Sequence, residues 1–201
     1  MTEVEHILEL CSRSTLARAS ELREAGISAT AISRAVEKGL LLRVGRGLYQ
    51  RADAEIPEGI QLAETSKLYP KLRIGLVSAL AFHEITDELP RQVWGIIPHG
   101  GWKPRAAYPK IRAVRMGEPH YSSHVEHHEI AGVSVPIYSL PKTLADCFRL
   151  PRLVTRSTAI DALGWTIREG KSTPSEISAV AQEHNAWPVM QPYLEALAIN
   201  G

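Results

Sequence analysis

The stretch from Gly26 to Tyr49, GISATAISRAVEKGLLLRVGRGLY, constrains the fold more than any other part of the chain. Ile32, Ala35 and Val36, with Ala31 beside them, fall on one face of a helix. Thr30, Ser33, Arg34 and Glu37 fall on the opposite face, at the spacing of neighbours on a helix surface. Ser28 stands where an N-cap belongs and Gly39 where a helix hands over to a left-handed residue, so the spacing predicts a helix of about ten residues. Leu40 to Val44 and Leu48-Tyr49 then read as paired strands around the turn Gly45-Arg46-Gly47. Two short helices joined at Gly26 and followed by a hairpin predict a winged helix-turn-helix.

A helix face of small polar residues and an arginine offers hydrogen-bonding groups to base edges without bulk that would clash in a major groove. A basic loop beside it can track phosphates or enter a minor groove. The candidate DNA contacts are therefore Ser28, Thr30, Ser33, Arg34 and Lys38, with Arg43 and Arg46 on the hairpin. The competing reading is a small helical core with an ordinary solvated hairpin, since the same geometry occurs without DNA binding. Charge bears on the choice only locally. The whole chain carries a net charge of +1. From Cys11 to Arg51, by contrast, eight basic residues (Arg13, Arg18, Arg23, Arg34, Lys38, Arg43, Arg46, Arg51) face three acidic ones (Glu21, Glu24, Glu37).

A chain of 201 residues has room for one or two domains and a sizeable core. Cys11 and Cys147 are too few and too far apart for a disulfide framework, which points to a reducing compartment. The acidic start MTEVEHILEL lacks a signal-peptide pattern, and no apolar run is long enough for a membrane span. A cytoplasmic protein is expected.

Along the chain, Val4 to about Ser12 reads as an amphipathic helix, and Ser14 or Thr15 as the cap of a second that turns Leu16, Ala19 and Leu22 inward. Pro57 opens a linking helix that stops before Pro70. Ser78 to His83 is helical, and Val93 to Pro98, Ile111 to Arg115, Glu129-Ile130 and Val133 to Val135 are strands of a small sheet. In Ile111 to Arg115 one buried and one positive face are expected. Helices follow from Pro141 to Arg149, from Thr155 to Glu169, after the Thr173-Pro174-Ser175-Glu176 capping box, and from Pro188. The expected class is α+β: a winged helix-turn-helix with its linking helix (residues 1–72), then a mixed α/β body with a small sheet and a helical tail (73–201).

Between Glu88 and Glu118 the chain has no acidic residue but holds Arg91, Lys103, Arg105, Lys110, Arg112 and Arg115, with Trp94, Trp102 and Tyr108 interleaved. Such a surface suits DNA backbone, an acidic protein or nucleotide phosphates; the alternative is a solvated sheet face whose aromatics belong to the core. His120, His124, His127 and His128 match no ordinary zinc spacing, so surface histidines and no metal site are expected. Lys142 and Asp146 read as an ordinary surface ion pair. With no P-loop, no G-x-G-x-x-G and no kinase catalytic loop, no catalytic residue is assigned.

The segment AISRAVEKGLLLRVGRGLY from Ala31 resembles the winged-helix start of the AbiE-type abortive-infection antitoxins, the AbiEi-like regulators of viral defence. SALAFHEITDELPRQVWGIIP from Ser78, YPKIRAVRM from Tyr108 and IYSLPKTLADCFRLP from Ile137 are similar to segments of the same family, in the same order. The resemblance implies the antitoxin of a type IV toxin–antitoxin system, encoded beside a nucleotidyltransferase toxin. Its winged helix would bind inverted repeats in its own promoter and repress the operon, as a monomer or weak dimer paired on the operator. Thr30, Ser33 and Arg34, with Arg43 and Arg46, take the DNA-reading positions. Lys103, Arg105, Lys110, Arg112 and Arg115 take those of a basic antitoxicity surface. No cofactor is implied unless the chain follows relatives described as kinases that phosphorylate a toxin serine, which would need ATP and Mg. A repressor without an antitoxin role is the third reading.

Overall fold

The computed structural model describes residues 3–105 and 108–200, and the side chains of all of these except Arg13 and residues 198–200. Arg13 of the basic cluster thus lies outside the described side chains. The chain is α+β and forms two compact units, one of residues 1–72, 104–111 and 127–135, the other of the remainder.

The first unit opens with α1 (Glu3–Arg13), β1 (Leu16–Arg18), α2 (Ala19–Glu24) and α3 (Ala29–Glu37). The hairpin of β2 (Leu41–Gly45) and β3 (Leu48–Arg51) follows, then α4 (Ile60–Leu68). Ile7, Cys11, Leu22, Ile27, Ala31, Ile32, Ala35 and Leu41 make its core. Both α2 and α3 end in the same way. Gly26 (φ +85°) and Gly39 (φ +68°) adopt left-handed conformations, and the next residues, Ile27 and Leu40, donate their N–H groups back to Leu22 and Ala35. This closes each helix within a residue and turns the chain sharply from α2 into α3.

Leu16 is not helical as expected. It pairs with Gln50, and Ala17 with Tyr49, so β1 adds a third antiparallel strand in the order β1-β3-β2. The buried pair Leu16 and Ala17 covers the core from an extended strand, and the helix begins only at Ala19. The linking helix likewise starts at Ile60 rather than Pro57, because Gly59 at φ +74° precedes it in a left-handed conformation.

In the second region β4 (Arg73–Ile74) leads into α5 (Leu76–Phe82), followed by β5 (Val93–Pro98), β6 (Ile111–Met116), β7 (Val125–Ile130) and β8 (Val133–Tyr138). Four helices end the chain: α6 (Leu140–Arg149), α7 (Arg156–Arg168), α8 (Pro174–Glu183) and α9 (Trp187–Asn200). The sheet has the order β6-β5-β4-β8-β7. Its middle strand, β4, is a two-residue piece that the hydrophobic pattern does not reveal. It runs antiparallel to β5, pairing Ile74 with Gly95, and parallel to β8, pairing Ile74 with Ile137. Ala131 (φ +55°) and Gly132 (φ +71°) make the tight turn between β7 and β8. Leu80, Ile96, Tyr138, Leu144, Phe148, Leu163, Ile177 and Met190 belong to one core joining the sheet to the helices. Among the described residues no helix is long and apolar enough to cross a membrane.

Candidate nucleic-acid interface

Helix α3 carries its two faces as the spacing requires. Ala31, Ile32 and Ala35 are buried, while Thr30, Ser33, Arg34 and Lys38 are exposed. Ser28 is exposed too, but its hydroxyl has a local task. It accepts the Ala31 N–H at 3.1 Å as the N-cap, and it stands 3.4 Å from the Glu3 carboxylate. Ser28 therefore sets where the helix starts, and Thr30, Ser33 and Arg34 are the groups its first turns present outward. Arg34 and Arg46 make no ion pair among the described residues.

The hairpin beside the helix holds Arg43 and Arg46, both exposed. Its register shifts between Arg43 and Gly45, and Arg43 Nε donates to the Gly45 carbonyl at 3.3 Å. The tip is tied down: the Ala19 N–H at the start of α2 donates to the Gly47 carbonyl at 2.8 Å. Gly47 sits at φ +65°, a conformation a side chain resists. Leu68 of α4 packs against the hairpin at Gly45, where a Cβ would lie 3.3 Å from Leu68 Cδ1. The start of α2 and the end of α4 thus fix the loop that carries Arg46.

The basic residues between Glu88 and Glu118 are distributed over both units. Arg105 and Lys110 belong to the first, and Lys103, Arg112 and Arg115 to the second; all five are exposed. On β6, Arg112 and Arg115 are three residues apart and so point to opposite faces, which corrects the expectation of one positive face. Arg112 stacks over the Trp94 ring at 4.2 Å, and Arg115 donates to the Gly101 carbonyl at 3.0 Å. Of the interleaved aromatics, Trp94 is in the core and Trp102 is 89% exposed. Tyr108 bonds Glu64, whose carboxyl burial pushes above its ordinary pKa.

The expected surface pair Lys142 and Asp146 is buried instead. Lys142 Nζ lies 2.6 Å from Asp146 Oδ2, Arg149 holds Oδ1 at 2.8 Å, and the Tyr138 ring covers Lys142. The helical spacing holds, but α6 is packed on α5 and α8 and both side chains of the pair end up buried. Burial pulls the Lys142 pKa down, against the opposing pull of Asp146.

The histidines separate as well. His127 is exposed on β7, whereas His120 and His124 meet His184, which the sequence reading did not connect with them. His184 is wholly buried at the end of α8; its Nδ1 lies 2.8 Å from His120 Nδ1 and its Nε2 3.2 Å from Ser123 Oγ. Burial, helped by the Lys142 charge, pushes the His184 pKa down to about 4. His124 Nε2 donates to Glu183 Oε2 at 2.7 Å, which holds the Glu183 carboxyl below its ordinary pKa.

Comparison with known proteins bears on both the fold and the first unit. The crystal structure of the RV2827C protein from Mycobacterium tuberculosis superposes with a TM-score of 0.65, over 95% of this chain and 75% of that one. At 13% identity, that likeness is one of fold. No curated protein matches the sequence. Residues 6–52 match the family described as transcriptional regulators, AbiEi antitoxin. That span runs from α1 through β3 and contains all seven candidate DNA contacts. Through this segment, the chain is similar to the AbiEi antitoxin family of transcriptional regulators.

Proposed function

We propose that the α1–β3 segment is a winged helix-turn-helix that binds inverted repeats in the promoter of its own operon and represses transcription. The observation that carries this reading is the coincidence of two independent limits. The family match at residues 6–52 encloses α2, α3 and the hairpin, and within it Thr30, Ser33, Arg34, Lys38, Arg43 and Arg46 are all exposed. Helix α3 enters the major groove with Thr30, Ser33 and Arg34 toward base edges, and Arg46 meets the adjacent backbone or minor groove. One such unit covers little DNA, so repression requires two copies on repeated half-sites. Operator binding places the protein in the cytoplasm.

The remainder of the chain is assigned to counteracting a nucleotidyltransferase toxin encoded alongside. Exposure of Lys103, Arg105, Lys110, Arg112 and Arg115 supports giving those residues the basic antitoxicity contacts. The test is binding of the full chain to a labelled fragment of its upstream DNA, titrated against random competitor over a range of salt. Specific, salt-sensitive binding in two steps is the expected result. Binding that random competitor erases would overturn the repressor reading.

A further inference from the structure

Away from the DNA-binding segment, three residues close in space carry a ligand set that the chain order hides. Glu183 is the last residue of α8 and His184 its cap, while His124 stands immediately before β7 with its backbone at φ +54°. Each offers one ligand atom, and the three atoms lie within 4.8 Å of one another. We propose that His124, Glu183 and His184 form a binding site for one divalent transition-metal cation of the zinc class.

The geometry favours a cation between the two imidazoles. The Glu183 carboxylate stands between two rings, with Oε2 2.7 Å from His124 Nε2 and Oε1 3.6 Å from His184 Nε2. The second distance is too long for a hydrogen bond. Ligands about 2.0–2.2 Å from a tetrahedral zinc lie roughly 3.3 Å apart. His124 is partly exposed and Glu183 exposed, so both side chains have room to turn toward that arrangement, with the buried His184 as the fixed point.

His120 completes the arrangement from behind. Its Nδ1 lies 2.8 Å from His184 Nδ1, so a proton on His184 Nδ1 is donated to His120 and leaves the Nε2 lone pair for the ion. Metal-bound histidines are oriented by such a partner on the other ring nitrogen. The ion replaces two contacts, the hydrogen bond from His124 Nε2 to Glu183 Oε2, whose proton moves to His124 Nδ1, and that of Ser123 Oγ with His184 Nε2; the Ser123 hydroxyl keeps its 2.7 Å bond to the Pro119 carbonyl.

The surrounding charge is compatible. Lys142, the buried cation nearby, is offset in part by Asp146 at 2.6 Å, a carboxylate that it shares with Arg149. His124 also lines a groove of about 850 Å³ whose charged residues are Glu84, Glu126, Glu176 and Lys171, an acidic excess that attracts a cation. Two imidazoles and a carboxylate leave at least one coordination position open, the pattern of catalytic rather than structural zinc.

The test uses the full chain stripped with chelator and titrated with Zn²⁺ by calorimetry, and with Co²⁺ by visible absorption. One ion per chain is expected, with ligand-field bands for cobalt and a raised melting temperature for zinc. His124→Ala and Glu183→Gln, which change side chains outside the core, are each expected to weaken binding at least tenfold and to abolish the cobalt bands. His127→Ala/His128→Ala is expected to leave both unchanged. Binding that survives His124→Ala and Glu183→Gln, or that disappears with the His127/His128 pair, overturns the proposal. So does the absence of saturable binding in the parent chain.

Discussion

Lys142 Nζ and Asp146 Oδ2 are 2.6 Å apart, and neither side chain is more than 1% exposed. An ion pair taken wholly out of water is held together by the large penalty of leaving either charge alone. Asp146→Ala is therefore expected to destabilise the chain by about 3–5 kcal/mol, because it strands Lys142 and frees Arg149. Lys142→Met is expected to lose less, since Arg149 still holds the Asp146 carboxylate at 2.8 Å. Urea unfolding of both variants decides it. A loss below about 1 kcal/mol for Asp146→Ala would mean that Lys142 is neutral in the fold.

Gly75 lies where β4 passes into α5, with the sheet close on both sides. A Cβ there would stand 3.0 Å from Ile96 Cγ1 and 3.1 Å from Tyr138 Cδ2. Both neighbours are buried, and Tyr138 is further held by the bond from its hydroxyl to the Tyr121 carbonyl. Gly75→Ala is expected to cost about 1–3 kcal/mol by overpacking. Its φ of −153° suits any residue, so an unchanged urea midpoint would show that the two side chains can give way.

What was legible in the sequence was what local chemistry writes there. Ser28 caps α3 and Gly39 ends it because both roles need one residue type at one place, and the apolar face of α3 follows from helical spacing. The Thr173–Glu176 capping box was legible for the same reason. Long-range events left no local trace. Leu16 becomes a strand because Gln50 offers it a partner, and β4 is a strand of two residues because β5 and β8 flank it. His184 meets His120 and Ser123 across more than sixty residues of chain, which no spacing rule reads. Lys142 and Asp146 had the right spacing for a pair, but the pattern of one helix does not say which neighbours will cover it.

The buried His184 gives stability a pH dependence. Its pKa falls from the ordinary 6.5 to about 4 in the folded chain, so between those values the unfolded chain binds more protons. Stability from this group is complete above about pH 6.5 and declines toward pH 4, by up to about 1.4 kcal/mol per pH unit. His120, also lowered chiefly by burial, acts in the same direction. Chelator-treated protein should thus show a urea midpoint that falls between pH 7 and pH 5, and His184→Gln should reduce the slope. A His184 ring that is already protonated at pH 6 by NMR would refute the assignment.

In the proposed DNA-binding role, Arg34 and Arg46 take different contacts, which salt can separate. Arg34 stands on the exposed face of α3, whose small neighbours Thr30 and Ser33 allow close approach to base edges. Arg34→Ala is expected to cost about 1–3 kcal/mol on the operator and little on random DNA, relaxing preference at one base position. Arg46 projects from a tip held by the Ala19 to Gly47 bond, so Arg46→Ala is expected to weaken binding on all sequences and lower the salt slope by about one. Gly47→Ala tests the tip itself. Its φ of +65° makes alanine costly by about 1–2 kcal/mol, and the displaced loop should lose the phosphate contact while Arg46 is still present. Equal losses on operator and random DNA for Arg34→Ala would remove α3 from base reading. An unchanged salt slope for both Arg46→Ala and Gly47→Ala would remove the hairpin from the DNA altogether.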